Sequence, residues 1–309
     1  MAHRDSSVGD FLQHYATSQK IHAKSLISTF FGDLAVPHGG KAWVETIASL
    51  LEPLGVSNRL VRTSLFRLAD EQWLESTRVG RRSYYELSAK AIGQTELAEK
   101  LIYYQRKDNW DGQWTLIFIV KKPENTELRS QLEQELGWIG FGAIARHIYA
   151  HPTASVNVVA DRVKALGLNK NVVCMKANNI SEGVAGLDVS DLDVAAMCLP
   201  MENIEQRYKK FIALFSVVEP QEIQYASEIE VLCLRLILID EYRRAVLKDP
   251  HLPVELLPQQ WIGYSAHLLC RQIYNALLDV SNAGYRQILT GKSAELLGDY
   301  QQSYAGRFR

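Results

Sequence analysis

No stretch of this 309-residue chain holds an uninterrupted apolar run of about 18 residues, so a helical membrane span is not expected. Val231–Ile239, apolar apart from Arg235, is too short for one and reads as a buried helix. Cysteine is scarce: Cys174, Cys198, Cys233 and Cys270 are widely spaced, with no CxxC pair. That pattern excludes a disulfide scaffold, argues against a zinc cluster, and suits reduced thiols in a cytoplasmic protein. The opening MAHRDSSVGDFLQHY carries charge and no apolar core, unlike a secretory signal. GxSxG and HExxH are absent, so these hydrolase signatures are lacking. TGKS at 290–293 resembles the end of a phosphate loop, but position 286 is Arg286 where a glycine is needed, and a helical run precedes it. His147 and His151 lie four apart in a strand-like context beside Pro152, which favours a structural role over a metal pair. No cofactor or metal is expected.

Charge is almost balanced, at −1 overall, but it is unevenly placed. Residues 1–90 carry 11 Lys+Arg against 9 Asp+Glu, residues 91–180 repeat those counts, and residues 181–309 carry 12 against 17. Between Arg59 and Arg82 stand six arginines and no lysine, facing Asp70, Glu71 and Glu75. A polyanionic partner would therefore be met by this one segment.

Residues 22–89 read as three helices and a hairpin. AKSLISTFFGDL places Leu26, Ile27, Phe30 and Leu34 on one face, and VPHGG breaks it. KAWVETIASLLEPLG follows with Trp43, Val44, Ile47, Leu50 and Leu51 at core spacing, closed by Pro53 and Gly55. In VSNRLVRTSLFRLADEQWL, Ser57 is an N-cap and Val61, Leu65 and Leu68 form the buried stripe. Trp73–Arg78, a turn centred on Gly80, and Ser83–Leu87 make a two-stranded ribbon. This is the order of a winged helix-turn-helix. After a charged connecting helix at 91–109, WTLIFIV (114–120) opens a βαβ(β)αβ unit, with helices at 126–137 and 153–167, one or two strands over 140–152 and a last strand at 171–177. That pattern predicts a ferredoxin-like fold. From about residue 200 the chain reads as acidic helices, interrupted by the loop DPHLPVELLP. The fold class is therefore α+β: an N-terminal winged helix-turn-helix (1–90), a linker helix plus ferredoxin-like middle domain (91–182), and a helical C-terminal domain (183–309).

If Val61, Leu65 and Leu68 face inward, Asn58, Arg59, Arg62, Thr63, Phe66 and Arg67 face out. A recognition helix reads base edges with its N-terminal residues in the major groove, where Ser57, Asn58, Arg59 and Arg62 lie. Arginine pairs two donors with guanine and asparagine pairs with adenine. Arg67, further along, suits phosphate, or an ion pair with Asp70 or Glu71. On the ribbon, Arg78, Arg81 and Arg82 suit a phosphate backbone or a narrow minor groove, and Tyr84 a phosphate hydrogen bond. The bland alternative is a solvated polar face and a solubilising tip; it is weakened because helix and ribbon carry the same charge.

The ribbon, WIGFGAIARHIYAHP and above all DEYRRAVLKDPHLPVELLPQQWIGYSAHLLC together resemble the PaaX family, repressors of phenylacetic acid degradation operons. The resemblance runs from about Lys24 to Ala283 and implies a GntR-like winged helix, a Cas2-like middle domain and a helical C-terminal domain. It implies a homodimeric, double-stranded operator DNA-binding repressor of phenylacetate catabolism, released by phenylacetyl-CoA or a related acyl-CoA. It also implies base contact by Arg62, with Ser57, Asn58 and Arg59 at other contacting positions. An acyl-CoA needs cations for its phosphates and an apolar, aromatic lining. Lys121, Lys122, Arg129, Arg146, Arg243 and Arg244 are candidates for the first, and Trp138, Trp110, Trp114 and Trp261 for the second. For Arg243 and Arg244, pairing with Asp240, Glu241 or Asp249 is the simpler reading. Where Cas2-like nucleases carry an acidic residue at the end of the first strand, this chain has Lys121 and Lys122, so a metal-dependent nuclease is disfavoured. Not an enzyme is the expectation; the alternatives are a Cas2-like or acyl-CoA-processing enzyme without a recognisable catalytic cluster, and an adaptor that binds no DNA.

Overall fold

The computed structural model describes residues 7–104, 110–121, 126–179, 188–199, 201–293 and 301–309. In chain order its elements are α1 (Ser7–Ser18), α2 (Ala23–Thr29), β1 (Lys41–Trp43), α3 (Val44–Leu51), α4 (Asn58–Asp70), β2 (Leu74–Val79), β3 (Arg82–Leu87) and α5 (Ala89–Tyr103). The middle of the chain adds β4 (Gln113–Ile119), α6 (Thr126–Ile139), β5 (Gly142–Ala145), β6 (Ile148–His151), α7 (Val156–Ala165), β7 (Val172–Asn178) and α8 (Asp191–Cys198). Three long helices follow: α9 (Glu202–Phe215), α10 (Glu228–Val246) and α11 (Ile262–Ser293). Lys122 lies outside the described residues, as does the end of the connecting helix expected over 91–109. TGKS forms the last four residues of α11, a helix C-terminus and not a strand-to-helix turn.

Compactness divides the chain into two units that are not sequential. One holds residues 1–106, 207–247 and 262–309; the other holds 107–206 and 248–261. The sequential division 1–90, 91–182 and 183–309 follows the order of secondary structure, whereas burial of the apolar α10 draws the winged helix and the last helices into one core.

In the first unit α4 is the helix expected to read DNA. Ser57 caps it, its Oγ accepting the Leu60 N–H at 3.3 Å. Val61, Leu65 and Leu68 are buried as the stripe demands, joined by Ser64. The turn before it needs Gly55, whose φ of +77° is strained for any residue with a Cβ. KAW, expected as the start of the second helix, is instead the strand β1, pairing antiparallel with β3 as Lys41↔Glu86, Ala42↔Tyr85 and Trp43↔Tyr84. Gly39 and Gly40 at positive φ stop any continuing helix, and the open edge of β3 supplies the hydrogen bonds that extended backbone needs. The sheet order is β1-β3-β2, with β2 and β3 as the ribbon. AKSLISTFFGDL begins as α2 and widens into a π-helical turn at Phe30–Ala35.

The second unit has the sheet order β5-β6-β4-β7, all antiparallel, which is the ferredoxin-like arrangement the pattern predicts. One apolar cluster joins Ile117 of the sheet to Leu132 and Leu136 of α6 and Val159 and Val163 of α7. A second cluster, Trp114, Ala150, Ala195, Cys198, Leu252 and Leu256, is closed by α8 and the helical turn Val254–Leu256. Neither closing element stands out in the sequence. Gly142 is obligatory here: a Cβ would sit 1.5 Å from the Cys198 carbonyl oxygen.

Candidate nucleic-acid interface

Along α4, Asn58, Arg59, Arg62, Thr63, Phe66 and Arg67 are all exposed, Phe66 by 68%. Arg62 is oriented from within the helix, because Asn58 Oδ1 accepts its Nε–H at 2.8 Å. The Thr63 hydroxyl donates back to the Arg59 carbonyl at 2.9 Å. Glu71, one of the partners expected for Arg67, is taken by Lys24 at 2.5 Å, and Arg67 stays exposed in the last turn.

The ribbon brings its arginines to two different places. Gly80, at φ +60°, makes the tip, where Arg81 is exposed and Arg78 Nε donates to the Gly80 carbonyl at 3.1 Å. Arg82, in the pair Val79↔Arg82 that closes the turn, directs its side chain away from the tip. Its guanidinium lies 4.0 Å from the centre of the Trp43 ring, and its Nε is 3.8 Å from Glu45 Oε2. The other Glu45 oxygen is 3.6 Å from Arg62 Nη2. Glu45, on the first turn of α3, thus holds one arginine of the helix and one of the ribbon. Tyr84, beside them, packs edge-on against Trp43 with Lys41 Nζ 5.4 Å from its ring. Leu87 is buried, and Tyr84 and Tyr85 are both half-buried.

The residues considered for an effector do not gather in one compact unit. Lys121 lies two residues beyond β4 and is exposed, Arg129 pairs with Glu133 on α6 at 2.9 Å, and Arg146 stands on the turn between β5 and β6, all in the second unit. Trp138 lies in α6, its side chain outside the described residues. Trp114 is buried, donating to Asp191 Oδ1 at 2.7 Å, and Trp110 donates to the Pro152 carbonyl at 3.1 Å; both serve the closure of that core. Trp261 is buried as well. Arg243 and Arg244 belong to the first unit, where Arg244 binds Asp240 Oδ2 at 2.5 Å and Arg243 lies 3.5 Å from Asp240 Oδ1. His147 sits on a turn at φ +68°, and His151 Nδ1 accepts the Thr153 N–H at 3.0 Å.

Family models match residues 22–91 as a PaaX-like protein, 107–186 as the PaaX protein central Cas2-like domain and 199–287 as the PaaX-like protein C-terminal domain. Over 290 residues the chain is 36% identical to the transcriptional repressor PaaX of Escherichia coli (strain K12), covering 90% of this chain and 89% of that one. The chain belongs to the PaaX family. A solved structure, the uncharacterized protein Rv0674 from Mycobacterium tuberculosis, shares the fold at a TM-score of 0.52 and 16% identity, covering 84% of this chain and 96% of its own.

This PaaX-family chain also holds a buried charge centre that the residue patterns did not single out. Asp33, in the π-helical turn, receives Arg235 Nε at 2.6 Å, Arg307 Nη1 at 3.3 Å and the Tyr103 hydroxyl at 2.7 Å. Burial pushes its carboxyl upward, but the guanidiniums of Arg235 and Arg307 outweigh it and hold Asp33 below the usual carboxylate range. Arg235 also donates to Ser281, Asn282 and Tyr274, each at 2.8 Å. The signal for it was Arg235 itself, one charge inside VLCLRLILI, which no buried helix carries without a partner. Glu45 gave no such signal, because only folding places it between Arg62 and Arg82.

Proposed function

We propose that the chain is a DNA-binding transcriptional repressor of aromatic (phenylacetate) catabolism genes, released from its operator by an aryl-acyl-CoA such as phenylacetyl-CoA. It acts in the cytoplasm as a homodimer, since one winged helix makes few base contacts and a two-fold pair reads two half-sites. The repressor named among its relatives supports this reading. So does the shared grip of Glu45 on Arg62 and Arg82, which is the observation that carries it: helix and ribbon present one oriented basic surface. Arg62 and its neighbours on α4 specify sequence, and Arg78 and Arg81 hold the phosphate backbone. Release is linkage: an effector that favours the DNA-incompetent state lowers the population on the operator.

A gel shift with the duplex upstream of the chain's own operon, with and without phenylacetyl-CoA, tests the reading. A retarded complex that the thioester dissolves is expected; no complex at low salt defeats it. Arg62→Ala should cost about 1–3 kcal/mol of specific binding and relax base preference at one position. Unchanged affinity in a folded variant would remove Arg62 from the reading surface.

A further inference from the structure

A cavity of about 230 Å³ lies inside the first unit. Its walls come from four places: the end of α2 with the π-helical turn, Trp73 at the foot of the ribbon, one face of α5, and the last turns of α10. Trp73, Ala98, Ile102, Ile239 and Leu247 make it largely apolar, and Gln94, exposed on α5, marks its rim. The volume is below the roughly 300–1,000 Å³ typical of pockets that take drug-sized ligands, so it suits a small apolar group, not a whole nucleotide.

Its charges define what can enter. Asp33 and Glu99 line it, but Asp33 is bound by Arg235 and Arg307, and Glu99 Oε2 lies 3.3 Å from Arg307 Nη2. Arg243 is the cation among the described lining residues; its Nε lies 3.5 Å from Asp240 Oδ1 without a hydrogen bond, and its Nη2 reaches Ser25 only at 3.3 and 3.4 Å. A buried donor without an acceptor is costly, and an entering oxygen would relieve it. With two carboxylates already in the wall, a neutral carbonyl is favoured over a free carboxylate.

We propose that this cavity takes the acyl end of the effector: an apolar, ring-sized group joined to a neutral carbonyl such as a thioester, with the carbonyl oxygen toward Arg243. The assignment rests on the effector-released reading above and gives that effector a place. It also gives the ligand a short route to the DNA-reading elements. The Trp73 N–H donates to the Leu68 carbonyl at the end of α4 (2.8 Å), and the Trp73 carbonyl accepts the Ser88 N–H at the end of the ribbon (3.1 Å). Trp73 also meets Phe31 edge-on at 6.4 Å. A ligand pressing on Trp73 therefore acts on the junction of α4 with both ribbon strands.

The test measures binding of S-phenylacetyl-N-acetylcysteamine, a thioester without the nucleotide, by calorimetry on the full chain, with phenylacetate in parallel. Ala98→Phe fills the cavity from α5, and Gln94→Trp blocks its rim from an exposed position that folding tolerates. Each variant is checked by circular dichroism and operator binding. The expected result is binding of the thioester by the wild type, weakened about tenfold or more in both variants, with phenylacetate far weaker. Equal thioester affinity in wild type and a folded Gln94→Trp chain would overturn the cavity assignment, as would no thioester binding by the wild type. Phenylacetate binding as tightly as the thioester would overturn the neutral-carbonyl assignment. Operator release is scored separately with phenylacetyl-CoA. If the wild type fails to release while the variants still discriminate the thioester, the repressor reading falls and the cavity stands.

Discussion

Glu45 shows how little of a side chain's importance is visible in its stability contribution. Its contacts with Arg62 and Arg82 are between partly exposed groups at 3.6 and 3.8 Å, and such pairs stabilise a fold by about 1 kcal/mol or less. On the proposed reading their effect belongs to recognition, because the carboxylate lies between two arginines and also opposes a polyanion. Glu45→Gln should leave the urea midpoint nearly unmoved while non-specific duplex binds about two- to tenfold tighter at low salt; fluorescence anisotropy on a scrambled duplex measures it. Asp33 is the opposite case. Asp33→Asn leaves Arg235 and Arg307 facing each other without the anion, and a loss of about 3–5 kcal/mol in urea unfolding is expected, as for other buried pairs broken on one side. Sequence hints differ accordingly. Arg235 could be suspected from its apolar neighbours, whereas Asp33 sits in FFGDLA with nothing to mark its burial.

At the scale of elements, the helix α4 and the ribbon share their charge and differ in geometry. Arg78, near the end of β2, and Arg81, on the turn, are exposed, while the Arg82 side chain is stacked on Trp43. Replacing Arg78 and Arg81 together by alanine should flatten the dependence of log affinity on log salt by about 0.9 for each phosphate no longer neutralised, with base preference kept. Arg82→Ala should differ in kind, because it also strips packing from Trp43 and frees Glu45. Titrating operator affinity at several salt concentrations separates the two. The strand β1 belongs to this scale too. KAW has core spacing for a helix, yet pairing with β3 decides its state, since local preference is weaker than a ladder of backbone hydrogen bonds.

For the whole molecule, the decisive feature is that the last helices complete the core of the winged-helix unit. Phe308 is buried against Tyr103, Tyr242, His267 and Tyr274, and Arg307 reaches Asp33. Phe308→Ala should therefore cost about 3–5 kcal/mol, and hydrogen exchange should speed up in α4 amides far away in sequence. Acid acts on the same core. Burial pushes His38 and His267 below the usual histidine range, with Arg271 adding to the effect at His267. Both are depressed, so the stability from their neutral forms is complete above about pH 6.5 and is lost as pH falls through their folded values. Asp33 carries the same sign at lower pH, complete above about pH 4 and lost below. Thermal scans should show a falling midpoint from pH 7 to 5, with a smaller drop in His267→Gln.

Read alone, the amino-acid order determined what depends on near neighbours. The buried stripe of α4, its Ser57 cap, the Gly80 turn, the βαβ(β)αβ order of the second unit and the burial of Val231–Ile239 all follow from periodicity and turn chemistry, which act over a few residues. The tertiary structure decided what depends on distant partners. Among these are β1, the closing elements around α8, the bridge of Glu45 from helix to ribbon, the Asp33 centre and the cavity beside it. Residues 33, 235 and 307 meet only because two arginines and one carboxylate cannot be buried apart, and no local pattern records that requirement.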